Sequence, residues 1–369
     1  MSARKAPRKS KKVFISDCEG PISKNDNAFE LTSHFIPNGA RLFALISCYD
    51  DIQADIVKRK GYKAGDTLKL ILPFLRAYDV SNHTMTAFSS RSVLLMPGAK
   101  EMLESVGCFM PLYIVSTSYE QYMRTLCDVV GFPFTNVHCT LLDLDKYEMD
   151  NQEKAKVKRL AEEIIKLPIL KIPKNARSLR NFPKKMQDTV RRLDEIFWKE
   201  LSDMKVGKIL LEVNPVGGSE KAAVVKEITA RLDVSLENVM YVGDSITDVS
   251  AFQLVRSAEG VTVSFNGNNY AVREAEVAVL SRNAIVTALL ASIFSRFGKT
   301  RLLTLIREWK PSALAKSDLD KPLKECFFKV CEERFPKVES VTQRNMARLM
   351  RESSEFRRSV RGESVGQLG

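Results

Sequence analysis

The sequence predicts an α/β protein: a doubly wound parallel sheet with an inserted helical cap and a second helical insertion. Three observations predict it. Short apolar runs alternate with amphipathic stretches of helical period across short connections, which is the signature of strands joined by crossover helices. Two of those runs end abruptly in acidic turns, Val-Phe-Ile-Ser-Asp-Cys-Glu-Gly-Pro at Val13–Pro21 and Asn-Val-Met-Tyr-Val-Gly-Asp-Ser-Ile-Thr-Asp at Asn238–Asp248. A parallel sheet keeps its ligands at such places, outside the carboxyl ends of its strands. Two long segments, 22–95 and 144–208, break the alternation and are too long to be plain βα connections.

The first strand begins at Val13 and delivers Asp17 and Glu19 into the turn closed by Gly20–Pro21. Within 22–95, Ala28–Phe35, Arg41–Lys60 and Thr67–Tyr78 show helical recurrence of apolar residues, interrupted at Gly61–Gly65, so this segment reads as a helical cap over the strand ends. Helix Gly98–Val106, strand Pro111–Val115, helix Tyr119–Gly131 and strand Val137–Asp143 return to the sheet. The charged helices Lys154–Lys166 and Lys184–Met204, joined by the Pro- and Lys-rich stretch Leu167–Pro183, form a basic surface insertion over 144–208. The core resumes with strand Ile209–Val213 and helix Lys221–Leu232. Strand Val239–Val242, helix Ser245–Arg256, strand Gly260–Ser264, helix Tyr270–Ala275, strand Val277–Leu280 and helix Ala284–Phe297 follow.

The expected organisation is thus a basic disordered tail over 1–12, a core assembled from 13–21, 96–143 and 209–297, the cap over 22–95, the insertion over 144–208 and a C-terminal extension over 298–369. The extension is read as helical only, notably at Thr300–Trp309 and Lys321–Arg334, and as disordered after Ser353.

With 369 residues, 44% of them hydrophobic, the chain can bury a substantial core spread over about two domains. The longest nearly apolar run, Ala284–Phe294, falls short of the roughly 20 residues that span a bilayer. No apolar secretion segment follows the basic N-terminus, so a cytoplasmic location is expected. Seven scattered cysteines without a Cys-x-x-Cys pair exclude a disulfide framework and a zinc site, and three histidines leave little material for a histidine-rich metal centre. The net charge of +12 is unevenly placed: +6 over 1–12, +8 over 151–208 (16 minus 8), +7 over 295–369 (17 minus 10), hence −9 for the rest. Basic appendages surround an acidic body, as a cation-binding core requires. They read as solvated helix faces, with a protein partner as the other use; no nucleic-acid motif accompanies them.

Asp17, Glu19, Asp244 and Asp248 at two strand ends suit a hard, oxygen-seeking cation such as Mg2+. Any one of them could simply cap a turn or helix. Leu112–Ser118 runs into the hydroxyls Ser116-Thr117-Ser118, and Lys221 opens a helix after the Gly217–Gly218 turn. Each is ordinary alone, and their order gives them weight.

These four motifs, Asp17-Cys18-Glu19-Gly20, Ser116, Lys221 and Gly243-Asp244-Ser245-Ile246-Thr247-Asp248, resemble those of the haloacid dehalogenase-like superfamily over roughly residues 12–295. The chain is similar to its phosphoserine phosphatase-like branch, although Glu19 stands where the family usually carries Asp. The resemblance implies a phosphoric monoester hydrolase acting on a small phosphorylated metabolite. Asp17 would be the nucleophile that becomes an aspartyl-phosphate, and Glu19 the acid and base. Ser116 and Lys221 would hold the phosphate. Mg2+ would bind through Asp17, the Glu19 carbonyl, Asp244 and Asp248. Where that branch uses a cap arginine against the substrate, the matching helix offers Lys69, with Glu30, Lys58, Arg59 and Arg76 as further cap candidates. Transfer of the phosphoryl group to an alcohol is the first alternative. A non-catalytic accessory or scaffold role is the second, since Ser16–Glu30 also resembles an archaeal group labelled as accessory to an energy-converting hydrogenase.

Overall fold

The computed structural model describes residues 12–173, 176–332 and 334–366, so residues 1–11 of the tail expected over 1–12, and residues 367–369, lie outside the described residues. Seven strands form one sheet in the order β3-β2-β1-β4-β5-β6-β7. They are β1 (Val13–Ser16), β2 (Leu112–Tyr119), β3 (Val137–Thr140), β4 (Val239–Gly243), β5 (Val261–Phe265), β6 (Val277–Leu280) and β7 (Lys337–Ser340). β1 to β6 are parallel, and β1 lies between β2 and β4. Its four residues are apolar or small and all buried because neighbours and helices cover both faces.

The helices are α1 (Asn27–Phe35), α2 (Gly39–Asp51), α3 (Thr67–Ala77), α4 (Asn82–Ser92), α5 (Ala99–Phe109), α6 (Glu120–Val130), α7 (Asn151–Lys166), α8 (Lys184–Glu195) and α9 (Lys208–Glu212). They continue with α10 (Ser219–Leu232), α11 (Val249–Ser257), α12 (Asn269–Glu274), α13 (Ile285–Arg307, broken at Gly298), α14 (Pro311–Lys316), α15 (Lys321–Cys331), α16 (Met346–Arg361) and α17 (Glu363–Gly366). One face of the sheet packs on α5, α6 and α13 through Met102, Leu103, Val106, Met123, Leu126 and the apolar stripe Ile285–Phe294. The other packs on α10 and α11 through Val225, Ile228, Phe252 and Val255.

The cap helices α1 to α4 share a hydrophobic core with α7 to α9. Segment 144–208, read from the sequence as a surface insertion that could be a helical hairpin touching the cap or a partner, packs on the cap: its apolar stripe Val157, Leu160, Ile164, Val190, Leu193 and Phe197 is buried there. Asp194 of α8 fastens the two, accepting hydrogen bonds from Tyr49 Oη (2.6 Å), Gln53 Nε2 (2.9 Å) and Arg59 NH1 (2.8 Å).

Two further expectations are corrected. Ile209–Val213 is not a strand: Ile209, Leu210 and Val213 are buried while Leu211 is 86% exposed, a helical face laid against the cap, and the segment forms α9. The C-terminal extension is not helical only. β7 joins β6 antiparallel with Val338 buried, covering the edge of the sheet. Nor are the described residues after Ser353 disordered, because α16 runs on to Arg361 with Leu349, Ser353 and Arg357 buried.

Candidate active site

β1 and β4 are neighbours in register, so the residues following them emerge side by side. Asp17 leaves β1 with its N–H donated to Val242 O (2.8 Å). Gly20 completes the turn at φ +102°, a left-handed conformation natural to glycine, and a Cβ there would collide with the Asp244 carboxylate. Gly243 is needed for the same reason, since a side chain would run into Asp248. The two strand ends can thus bring their acids together, and Asp17, Asp244 and Asp248 offer oxygen atoms all within 4.8 Å of one another.

Lys221, in the first turn of α10 and wholly buried, lies between two of them. Its Nζ donates to Asp17 Oδ2 (2.6 Å) and Asp248 Oδ1 (2.8 Å). Burial opposes its charge, but the two carboxylates more than offset that and raise its pKa. Asp248 also accepts from Tyr241 Oη (2.8 Å), Asp244 N (2.9 Å) and Ser245 N (3.1 Å), closing a capping box with Ser245. Four donors occupy the roughly four lone-pair positions of this carboxylate. Burial, with Asp248 and Asp244 adding to it, pushes Asp17 toward its protonated form, and Lys221 only partly reverses this. Asp17, Asp244 and Asp248 gather hard carboxylate oxygens within reach of one another, the donor set that a divalent cation such as Mg2+ takes.

Glu19 points away from the cluster toward the cap, its Oε1 accepting from Asn27 N (2.8 Å) at the start of α1. Burial, then Asp26, holds its carboxyl well above the usual range. β2 runs beside β1 with Ile15 opposite Tyr113 and is irregular between Val115 and Tyr119, the stretch that carries Ser116 and Thr117. Thr117 lines the acidic cavity with its Oγ1 unpartnered, whereas the Ser116 hydroxyl accepts from Ser118 N (3.2 Å) and does not line it.

None of the proposed cap cations reaches the cavity wall. Lys69 pairs with Asp66 (2.7 Å), Arg59 with Asp194 (2.8 Å), and Arg76 donates to Tyr147 O (2.8 Å). Glu30 receives Asn25 Nδ2, and neither it nor Lys58 lines the cavity. The cationic side chains on that wall, among the described residues, are Arg357 and Arg361 of α16. They are 4% and 3% exposed. Arg357 NH1 donates to Asp244 Oδ2 and to Asp244 O (3.2 Å), while its Nε has no partner. Arg361 donates from NH1 to Asp244 Oδ2 (3.0 Å), from Nε to Lys24 O (3.1 Å) and from NH2 to Asn25 O. The sequence carried a signal for them: Leu349, Ser353, Arg357 and Arg361 recur at helical spacing, with Phe356 and Val360 continuing the apolar pattern past Ser353.

The family described as haloacid dehalogenase-like hydrolase matches residues 118–289. A solved structure of gene product AF1437 from Archaeoglobus fulgidus is similar over 97% of this chain and 99% of its own, with 27% identity and a TM-score of 0.80. Phosphoserine phosphatase in its apo form aligns over 75% of this chain and 96% of its own, with 12% identity and a TM-score of 0.40. Its phospho-aspartyl intermediate analogue aligns over the same shares, with 13% identity and a TM-score of 0.42. No curated protein matches the chain.

Proposed function

We propose that this chain, whose residues 118–289 match the haloacid dehalogenase-like hydrolase family, is a Mg2+-dependent phosphatase that hydrolyses a small phosphomonoester through an aspartyl-phosphate. The supporting observation is the convergence of Asp17, Asp244 and Asp248, with Lys221 buried between two of them, at the mouth of a parallel sheet. Asp17 and Asp244 would hold the cation, with the main-chain carbonyl of Glu19 beside them. Asp248, with its oxygens committed to four donors, would orient the loop that carries Asp244. When bound, Mg2+ offsets the repulsion between the Asp17 carboxylate and the incoming phosphate and polarises the phosphoryl oxygens.

The remaining roles fall to this chain's own groups. A carboxylate oxygen of Asp17 bonds to phosphorus as the bond from phosphorus to the leaving alcohol breaks. Glu19, kept protonated by burial, gives its proton to that alcohol, then as a carboxylate takes one from the water that cleaves the aspartyl-phosphate. Lys221 holds Asp17 in place. The Thr117 hydroxyl and the free Nε–H of Arg357 are the cavity groups that can hold phosphoryl oxygens as charge shifts among them, taking over the part the sequence suggested for Ser116.

The test is phosphate release from a panel of phosphorylated metabolites, with and without Mg2+, scored beside phosphorylated product when alcohols are added. The expected result is metal-dependent release by the parent and a loss of about a thousandfold or more in Asp17→Asn. Equal rates for the two proteins would reject the nucleophile, and phosphorylated alcohol in place of free phosphate would make the enzyme a transferase.

A further inference from the structure

The cavity has two unlike ends. At the sheet end, carboxylates are matched with Lys221, Arg357 and Arg361. At the cap end stand Asp50 and Asp51, the last two residues of α2, 3% and 9% exposed, and both line the same cavity as Asp17 and Asp244. Asp50 Oδ2 accepts from Gly65 N (3.0 Å) and Thr67 Oγ1 (2.8 Å). Its Oδ1 is buried without a well-formed hydrogen bond, and the neighbouring donor is the Tyr62 hydroxyl, which interacts with the Asp50 carboxylate but makes no well-formed bond either.

Among the described residues, no cation is matched to this pair. The charged neighbours acting on Asp51 are the carboxylates of Asp50 and Asp55. The neighbour of Asp50 is Asp66, which Lys69 already holds at 2.7 Å. Lys63 is engaged with Glu220 (3.4 Å) and Asn214. Burial raises Asp50 to about 6 and Asp51 well above the ordinary carboxylate range, as expected of buried acids with no counter-charge. Leaving such oxygens unpaired is costly unless something arrives to meet them.

We infer that the leaving group of the substrate carries a protonated amine that docks on Asp50 and Asp51, making the substrate a phosphorylated amino alcohol; this rests on the phosphatase reading for the other end of the cavity. An alkylammonium suits the site better than a second metal ion. A hard cation seeks six or more oxygens, and the cap offers two carboxylates, one oxygen of which is already committed to two donors. An ammonium brings N–H donors for Asp50 Oδ1 and Asp51. Phe43 and Leu68, on the same wall, offer apolar surface to its methylenes, and the Phe43 ring suits a cation.

The experiment compares kcat/KM, with Mg2+, for ω-aminoalkyl phosphates of two to four carbons against alkyl phosphates of equal length, in the parent, Asp50→Asn, Asp51→Asn and Asp51→Glu. The parent should favour an amine ester by about tenfold or more, since a site built to accept hydrogen bonds rejects an analogue that lacks them. The preference should collapse toward unity in both Asn variants and survive in Asp51→Glu. As a ratio within one preparation, it does not depend on the fraction folded. Equal values in the parent, or a preference that persists in both Asn variants, would overturn the inference. If the parent hydrolyses no ester, the phosphatase reading fails separately. Calorimetric binding of ω-aminoalkyl phosphonates against alkyl phosphonates then decides: at least about tenfold tighter binding that Asp51→Asn abolishes supports the amine pocket, and equal binding rejects it.

Discussion

Two sets of cations reach the acids at the strand ends, and they are held in opposite ways. Lys221 comes from α10, a helix of the core, and each of its two contacts is to a carboxylate that the sheet itself presents. Arg357 and Arg361 come from α16, more than a hundred residues later, and share one oxygen of Asp244. Lys221 neutralises charge that the fold has already buried. The arginines keep spare capacity, visible in the unpartnered Nε of Arg357. A cation enclosed by its partners serves the fold first, whereas one with a free donor on a cavity wall is available to a ligand.

Replacing Lys221 should break this contrast most visibly. Lys221→Met leaves Asp17 and Asp248 as buried charges facing one another, at a cost of about 3–5 kcal/mol. Urea unfolding should show that loss, with phosphate release falling alongside. A midpoint equal to the parent's would mean the lysine carries no structural weight. Arg357→Met should split the two effects, losing about a hundredfold in kcat/KM while stability falls much less, because Arg361 still holds Asp244. Arg357→Lys should recover only part of the activity, since the ammonium lacks the guanidinium fork. Full activity in Arg357→Met would return α16 to a purely structural role.

A finer test concerns the hydroxyls of β2. Thr117→Ala should lower kcat/KM about tenfold or more through loss of one donor to the phosphoryl group, while Ser116→Ala stays close to the parent. The reverse ranking would show that the bulge between Val115 and Tyr119 turns Ser116 toward the cavity during turnover. The smallest effect expected lies in cap helix α1. Burial raises Glu30 to about 7, so the folded state binds its proton more tightly than the unfolded chain, whose carboxyl titrates near its ordinary 4.5. The stability this contributes is fully present below that value and is lost as pH rises through about 7. Glu30→Gln should remove that loss, and its urea midpoint should gain on the parent's between pH 5 and about 8. Parallel midpoints would place Glu30 in contact with solvent.

Much of the site could be read from the chain because its logic is local. Asp17, Glu19, Asp244 and Asp248 each follow an apolar run within a few residues, and the strand that presents them is evident from its own composition. Lys221 was legible from its position just after a glycine turn at a helix start. The misses have a common cause. Ile209–Val213 has the composition of a strand, yet helical packing on the cap decided its form. Ser116 and Thr117 are equally hydroxylic, and only the irregular course of β2 beside the cavity separates them. β7 is a short, half-buried run whose pairing with β6 lies outside any local pattern.

The sequence by itself determined the parallel α/β plan, the paired acidic strand ends and the existence of a helical cap, because alternation, turn residues and charge are written along neighbouring positions. The tertiary structure alone decided that the cap and the 144–208 segment share one core, that two arginines from α16 close on Asp244, and that Asp50 and Asp51 face the same cavity. Those contacts join residues far apart in the chain. Their free energy comes from burying one surface against another, which no local run of residues specifies.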